Sequence, residues 1–459
     1  MTSQPPVDCT ASPLDEVERY LAAHPDTEAV ELLITDTNAV MRGKWAPAGT
    51  IQKAFTSGVA FPLSMFGLDV WGREVMETGL HVDTGDRDGF CMAVPGSLRP
   101  VPWADVPTAQ VILTMATEGG QPFHGDPRQA LERTMARANA AGLRPCVAFE
   151  LEFYLLTAAP GESAAEAYRP VLSFGDGPDR QNMYALSDLS AHASFFADVR
   201  AAAKAQAVPI DTIISEAAPG QFEVNLKHRV DGLAAADDAL MLKRLIQETA
   251  RRHGLRATFM AKPFMPWAGN GMHLHVSLVD GDGNNVFADP ARGQSTLESA
   301  VAGLLDTMAP AMLVFVPTWN GYRRLLPGSY APTRIAWGHN NRSVAVRIPA
   351  GDPSALRVEH RIAGADANPY LVLSAILAGM LDGIEGGRTP PPPTDRNAYE
   401  APAPELPDQM DEAVGLFRKS DFVRRTFGVE YQAMFAAIKD AEIAAFRSEI
   451  SPLERSTYL

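Results

Sequence analysis

Five short segments alternate apolar and polar residues as β-strands do, yet the polar side of each gathers charges that a solvent face rarely collects. In AFELEFYLL, Glu150 and Glu152 lie two apart and share one strand face, while Phe149, Leu151 and Phe153 take the other. GQFEVNL opposes Gln221, Glu223 and Asn225 to Phe222, Val224 and Leu226. GMHLHVSL opposes His273, His275 and Ser277 to Met272, Leu274, Val276 and Leu278. RVEHRI aligns Arg357, Glu359 and Arg361 against Val358, His360 and Ile362, and SVAVRIP sets Arg347 opposite Val344, Val346 and Ile348. Solvent faces mix Lys, Thr, Ser and Gln; these five supply carboxylate, imidazole and guanidinium, with no lysine. Any one of them reads as an ordinary half-exposed strand. Together they predict one sheet whose concave face is a polar cavity and whose apolar face lies under helices.

Such a cavity requires charge compensation, because clustered carboxylates push one another's pKa upward unless a cation intervenes. Oxygen-rich sites with one or two imidazoles suit Mg²⁺ or Mn²⁺ better than structural zinc. Arginines beside such ions are partners of phosphate and carboxylate groups, through a bidentate fork that lysine cannot copy. That equipment describes phosphoryl transfer from a nucleotide. The chain has no G-x-x-x-x-G-K-[ST] loop, no G-x-S-x-G, no H-E-x-x-H and no dinucleotide fingerprint.

The bulk numbers agree with an enzyme of ordinary globular type: 459 residues, 46 % hydrophobic, 21 % charged. A net charge of -15 argues against a nucleic-acid surface. Cys9, Cys91 and Cys146 are too few and scattered for a disulfide framework or a cysteine zinc site, and they fit a reducing compartment. MTSQPPVDCT lacks the regions of a signal peptide, and no apolar run reaches membrane-spanning length, so a cytoplasmic location with no membrane partner is expected.

The expected organisation is α+β: a flexible tail over 1–14, a small module over 15–115, and a large unit over 116–459. Asp126 followed by Pro127 predicts a helix start, with Gly142 closing it. Helices are predicted at 232–253 and 368–383, and the Pro-rich stretch from Gly386 to Asp408 reads as an exposed loop.

ELEFYLL, EAAPGQFEVN, GNGMHLHVSL, RRLLPGSYAP, NRSVAVRIP and RVEHRIAGADANPYL occur in the order of the motifs of type I glutamine synthetases, and the chain resembles that family along nearly its whole length, including LLITDTNAVMRGK near the start. Its wording resembles most the gamma-glutamylputrescine synthetase group and other gamma-glutamylamide synthetases. The resemblance implies an N-terminal β-grasp domain, a catalytic domain on a curved antiparallel sheet flanked by helices, and a dodecamer of two stacked six-membered rings with sites between neighbours. It assigns one Mg²⁺ or Mn²⁺ to Glu152, Glu216 and Glu223, and a second to Glu150, His273 and Glu359. It places His275, Ser277 and Arg357 on the ATP side, and gives Arg324, Arg361 and the Gly269 backbone to L-glutamate. Arg342 and Arg347 match arginines that neutralise the transferring phosphoryl group, Arg347 at the ATP end.

The sequence departs from ammonium-using members where those carry two carboxylates, one in the PGSYAP turn and one in the N-terminal module. Here Tyr330 and Pro62 stand at those places, while Tyr184 and Glu216 match retained ammonium-side residues. Losing two carboxylates weakens capture of a small charged ion, and Pro62, Leu63, Met65, Phe66 and Tyr330 make a wall suited to a carbon chain. The expected acceptor is therefore an organic primary amine, either putrescine-like or a small monoamine. Glu216 is the candidate base, assisted by Tyr330 or Tyr184. The alternatives are an ammonium-using glutamine synthetase, or an idle relative with a structural or regulatory role. Tyr399, in the loop that carries a regulatory adenylylation tyrosine in some family members, is read as a surface tyrosine; His228, His339 and His360 are read as structural.

Overall fold

The computed structural model describes residues 13–158, 168–172 and 183–459. Most of the expected tail, with Cys9, lies outside the described residues; the first helix, Pro13–Ala23, begins within it. Six strands build a small sheet: β1 (Ala29–Thr35), β2 (Met41–Pro47), β3 (Val59–Pro62), β4 (Asp88–Ala93), β5 (Arg99–Pro100) and β6 (Thr108–Ala116). Their order is β2-β1-β6-β4-β3, with β5 on β6. β1 pairs β2 as an antiparallel hairpin and runs parallel to β6.

The large sheet comprises β7 (Arg144–Ala158), β8 (Tyr168–Pro170), β9 (Ile210–Ser215), β10 (Gln221–Leu226), β11 (Arg256–Thr258), β12 (Met272–Val279), β13 (Trp337–His339), β14 (Val346–Ile348) and β15 (Val358–His360). The order is β13-β14-β15-β12-β7-β10-β9, with β8 and β11 also on β7. Every pairing is antiparallel except β13 with β14. All five charged segments therefore join one sheet, four of them as strands side by side and the GQFEVNL segment next to β7.

The apolar faces behave as the alternation predicts. Val147, Phe149, Leu151 and Phe153 of β7 and Met272, Leu274, Val276 and Leu278 of β12 are fully buried. Three helices lie in the layer behind them: Pro127–Ala140, Gly232–Arg252 and Pro369–Glu385. Asp126 caps the first by accepting the Arg128 amide at 2.9 Å, and Gly142 ends its exit turn in the left-handed region at φ 72. The third is apolar all round and buried nearly throughout, the pattern of a central helix.

The Pro-rich segment is an exposed loop as expected, and it is laid along the edge of the large sheet. Pro391 accepts the Trp337 indole N–H at 2.7 Å, the Thr394 amide donates to the Trp337 carbonyl at 2.7 Å, and the Asn341 side chain donates to the carbonyls of Thr394 and Arg396. Proline lacks an amide donor but keeps its carbonyl, so a Pro-rich strap can be held by side-chain donors.

Candidate active site

Strand register converts scattered sequence positions into one row of ligands. Glu150 stands opposite His273 on β12 and opposite Asn225 on β10. Glu152 faces Glu223, His275 faces Glu359 on β15, and Glu359 faces Arg347 on β14. Glu216 enters from the turn between β9 and β10, where its amide donates to the Gln221 carbonyl at 2.9 Å.

Three overlapping groups of donor atoms result, each drawn within 4.8 Å: Glu152 with Glu216 and Glu223; Glu150 with Glu223 and His273; Glu150 with His275 and Glu359. The first is the trio expected for one metal. The residues expected for the second, Glu150, His273 and Glu359, fall in two groups that share Glu150, and His275, expected on the ATP side, joins one of them. His273 Nδ1 lies 3.4 Å from Glu150 Oε2. His275 Nε2 lies 2.9 Å from Glu150 Oε1, but it is buried without the alignment of a hydrogen bond.

The electrostatics ask for a cation. Burial, then the charges of Glu152 and Glu150, push the Glu216 carboxyl up to about 8, against the pull of Arg342. Burial and the carboxylates of Glu150, Glu152 and Glu216 push Glu223 well above the usual range. Burial also works to raise Glu150, but His273 and His275 outweigh it and hold that carboxyl far down. Repelling buried carboxylates with imidazoles among them are a donor set that suits a hard divalent ion.

The arginines form a second layer. Burial would raise Glu359, but the Arg361 guanidinium and the two imidazoles hold it low. Arg361 pairs with one Glu359 oxygen and Arg347 with the other at 2.6 Å. Arg347 also donates to Asn340 Oδ1 at 2.8 Å. Arg324 is buried, donating to the Ile362 carbonyl at 2.8 Å and lying on bare glycine backbone. A Cβ at Gly269 would meet Arg324 Cγ at 2.8 Å, and one at Gly271 would meet its Nη2 at 2.5 Å. Gln221 donates to the Gly269 carbonyl at 3.0 Å, fixing that edge. Arg342 is exposed on the loop before β14.

On the other side of Glu150 a cavity of about 520 Å³ is lined by Ala148, Asn225, His228, His275, Ser277 and Arg357, among others. Arg357 Nε donates to His275 Nδ1 at 3.1 Å, which fixes the other imidazole nitrogen toward Glu150. Three of the four residues expected on the ATP side thus share one wall, while Arg347 stands apart from it on β14 beside Glu359. His228 lines this cavity rather than turning away from it, because the chain leaves the strand register just after β10. His360 is structural as expected: it packs on Phe315 with ring centroids 4.4 Å apart, and burial, aided by the charge of His273, drives its pKa down to about 3.

The acceptor-side residues are not brought together in the single chain. Tyr330 is 64 % exposed on its turn, and Tyr184 is 57 % exposed where its amide donates to the Ser215 carbonyl at 2.9 Å, just before Glu216. Pro62 sits on β3, at the free edge of the small sheet, opposite Asp88. Tyr330 and Tyr184 both hold positive φ, 59 and 63. Bulky residues adopt that region at a strain of order 1 kcal/mol or more, and such strain concentrates at functional sites. Sequence reading placed Asn225 on the Glu223 face without giving it a role, and it missed Asn340, for which there was no signal.

A curved sheet presenting acidic, imidazole and guanidinium side chains on one face defines a metal-dependent phosphoryl-transfer centre. The family described as glutamine synthetase, catalytic domain, matches residues 124–458, and the chain belongs to the glutamine synthetase family. Gamma-glutamylputrescine synthetase of Escherichia coli (strain K12) is 41 % identical over 444 residues, covering 96 % of this chain and 93 % of that protein. Glutamate–isopropylamine ligase of a Pseudomonas species is 33 % identical, covering 97 % of each chain. The solved structure of a GmaS/ADP complex superposes with a TM-score of 0.83 at 30 % identity, covering 96 % of this chain and 99 % of that one. Among the described residues no helix is long and apolar enough to cross a membrane.

Proposed function

We propose that this protein ligates the γ-carboxylate of L-glutamate to an organic primary amine at the expense of ATP. In the first step a glutamate γ-carboxylate oxygen attacks the γ-phosphorus of ATP, giving γ-glutamyl phosphate and ADP. In the second an uncharged amine attacks the acyl carbon, phosphate leaves, and the amine nitrogen gives up a proton. Divalent ions held by Glu150, Glu152, Glu216, Glu223, His273 and Glu359 would neutralise phosphate oxygens and polarise the phosphoryl group.

Arg324 and Arg361 clamp the glutamate carboxylate through forks that lysine cannot reproduce. Arg342 and Arg347 stabilise the charge that grows on phosphoryl oxygens, the largest catalytic contribution such a site offers. His275, Ser277 and Arg357 hold the nucleotide in the cavity beside Glu150. Glu216 is the base for the amine proton, with Tyr184, whose amide bonds the residue before it, helping to position the nitrogen. The units 15–115 and 116–459 act as acceptor wall and catalytic body. Pro62 on its free sheet edge completes the wall of a neighbouring copy, in a dodecamer of two stacked rings, and the cytoplasm supplies both ATP and glutamate.

The observation that carries this reading is Tyr330, an exposed aromatic held at positive φ beside the glutamate clamp, where ammonium users of the family place a carboxylate. Relatives named for putrescine, isopropylamine and ethanolamine acceptors support it. Relatives named glutamine synthetase, such as that of Thermus thermophilus at 32 % identity, supply the competing reading of an ammonium acceptor. Phosphate release from ATP and L-glutamate, measured across ammonium, monoamines and diamines, separates the two. Turnover with an organic amine well above ammonium is expected, and equal use of ammonium rejects the proposal.

A further inference from the structure

Arg334 belongs to the arginine-rich run 323–347 but points away from the metal cluster. Its guanidinium is spent on the Pro-rich strap: Nε donates to the Tyr399 carbonyl at 2.8 Å, Nη1 to the Ala403 carbonyl at 2.9 Å, and Nη2 to Glu405 Oε1 at 2.9 Å. Backbone bonds extend the seam on either side. The Ile335 amide donates to the Pro404 carbonyl at 2.8 Å, and the Leu406 amide donates to the Thr333 carbonyl at 2.9 Å.

The strap then returns a contact to the acceptor turn. Tyr399, expected to be a plain surface residue, is half-buried, and its hydroxyl donates to the Ala331 carbonyl at 3.1 Å, one residue beyond Tyr330. From the other side Ser329 Oγ donates to the Leu326 carbonyl at 2.6 Å and to the Arg324 carbonyl at 3.2 Å, and it accepts the Ala331 amide at 3.3 Å. Tyr330 is therefore gripped at both flanks while its own side chain stays exposed. The same strap also reaches the phosphoryl side. Ser343 Oγ accepts the Ala398 amide at 3.0 Å, next to Tyr399, and Asn341 holds the carbonyls of Thr394 and Arg396; Arg342 lies between those two residues.

We infer that Arg334 and Tyr399 are positioning residues that hold the Tyr330 turn, through the strap 391–406, in register with the Arg342 loop, and so set affinity for the acceptor amine. The claim rests on the ligase reading above. A residue held at positive φ in an exposed turn relaxes unless its surroundings over-determine it. Here the surroundings are three guanidinium bonds and one phenol bond. Removing the phenol hydroxyl alone leaves the ring and the strap, but releases the flank of Tyr330.

The test uses Tyr399→Phe and Arg334→Lys in the full-length protein, with two readouts. In steady-state phosphate release, each variant should raise KM for the acceptor roughly five- to tenfold, as expected for losing one buried hydrogen bond, with KM for ATP within about twofold. In amide hydrogen exchange without substrates, the peptide spanning 328–333 should exchange faster in both variants, while peptides of β7 and β12 stay unchanged. The double variant should fall short of the product of the single effects, because both residues act through one seam. Unchanged exchange over 328–333, or equal loss in every kinetic constant, overturns the inference. If the wild-type protein turns over only ammonium, the amine reading fails while the clamp is still tested, with ammonium as the varied acceptor and by exchange.

Discussion

Glu150, Glu152, Glu223, His273, His275 and Glu359 stand on four adjacent strands whose register sets their spacing, whereas Tyr330 and Tyr184 stand on turns. The carboxylate face is held by backbone ladders and a buried apolar layer, so moving one ligand means moving a strand. The Tyr330 turn is held by side-chain bonds such as Tyr399 to Ala331. The difference separates tasks. On the proposed reading, chemistry common to all acceptors is built on the sheet, and the choice of acceptor is left to loops that can change without disturbing it.

The rigid side should break hardest. Glu223→Gln keeps shape and removes one charge, and phosphate release should fall about a thousandfold, the scale of losing a charge-stabilising group. The same substitution should have opposite effects on stability in two conditions. Melting temperature should rise in EDTA, where a repelling carboxylate has been removed, and fall below wild type in excess Mg²⁺ or Mn²⁺. A variant that melts alike in both conditions would argue that Glu223 holds no ion.

Arg347→Lys should lower kcat about a hundredfold with KM for the amine little changed, because the fork that pairs with Glu359, and on the proposed reading also meets the phosphoryl oxygens, is lost. On the turn side the effects should be smaller and selective. Tyr330→Glu should move the ratio of organic amine to ammonium use about tenfold toward ammonium, with KM for ATP unchanged. No shift in that ratio would detach Tyr330 from acceptor choice.

The back of β15 supplies the mildest contrast. His360 lies directly behind Glu359, and burial lowers its pKa to about 3, from an ordinary value near 6.5. The unfolded chain then binds more protons between these values, so stability is intact above about pH 6.5 and is lost as pH falls toward 3. The expected loss is roughly 2 kcal/mol at pH 5, and His360→Asn should flatten that part of the profile in denaturant titrations. An unchanged slope would place the acid sensitivity elsewhere.

These regions were also unequally legible in the sequence. Alternation in ELEFYLL or GMHLHVSL told which residues share a face, and strand pairing then made neighbours of faces read separately. His228 misled because it sits two residues past a regular strand, where alternation stops carrying information. Tyr399 misled for a related reason: a Pro-rich, polar composition says that a segment lacks regular structure, not that it lacks partners. Positive φ at Tyr330 and Tyr184 has no signature in residue type, since glycine or asparagine is what such a position ordinarily selects. Register is local and periodic; straps and turns are held by contacts between residues some seventy positions apart, as Arg334 and Ala403 are.

The central claim is that the acceptor wall selects an organic amine over ammonium. It is tested most directly by competition in one vessel: ATP, L-glutamate, Mg²⁺, ammonium and a primary amine at equal concentrations of uncharged base, with products weighed by mass spectrometry. The account predicts γ-glutamylamide in clear excess over glutamine for at least one amine among putrescine, isopropylamine and ethanolamine. Glutamine as the main product with every amine would contradict it.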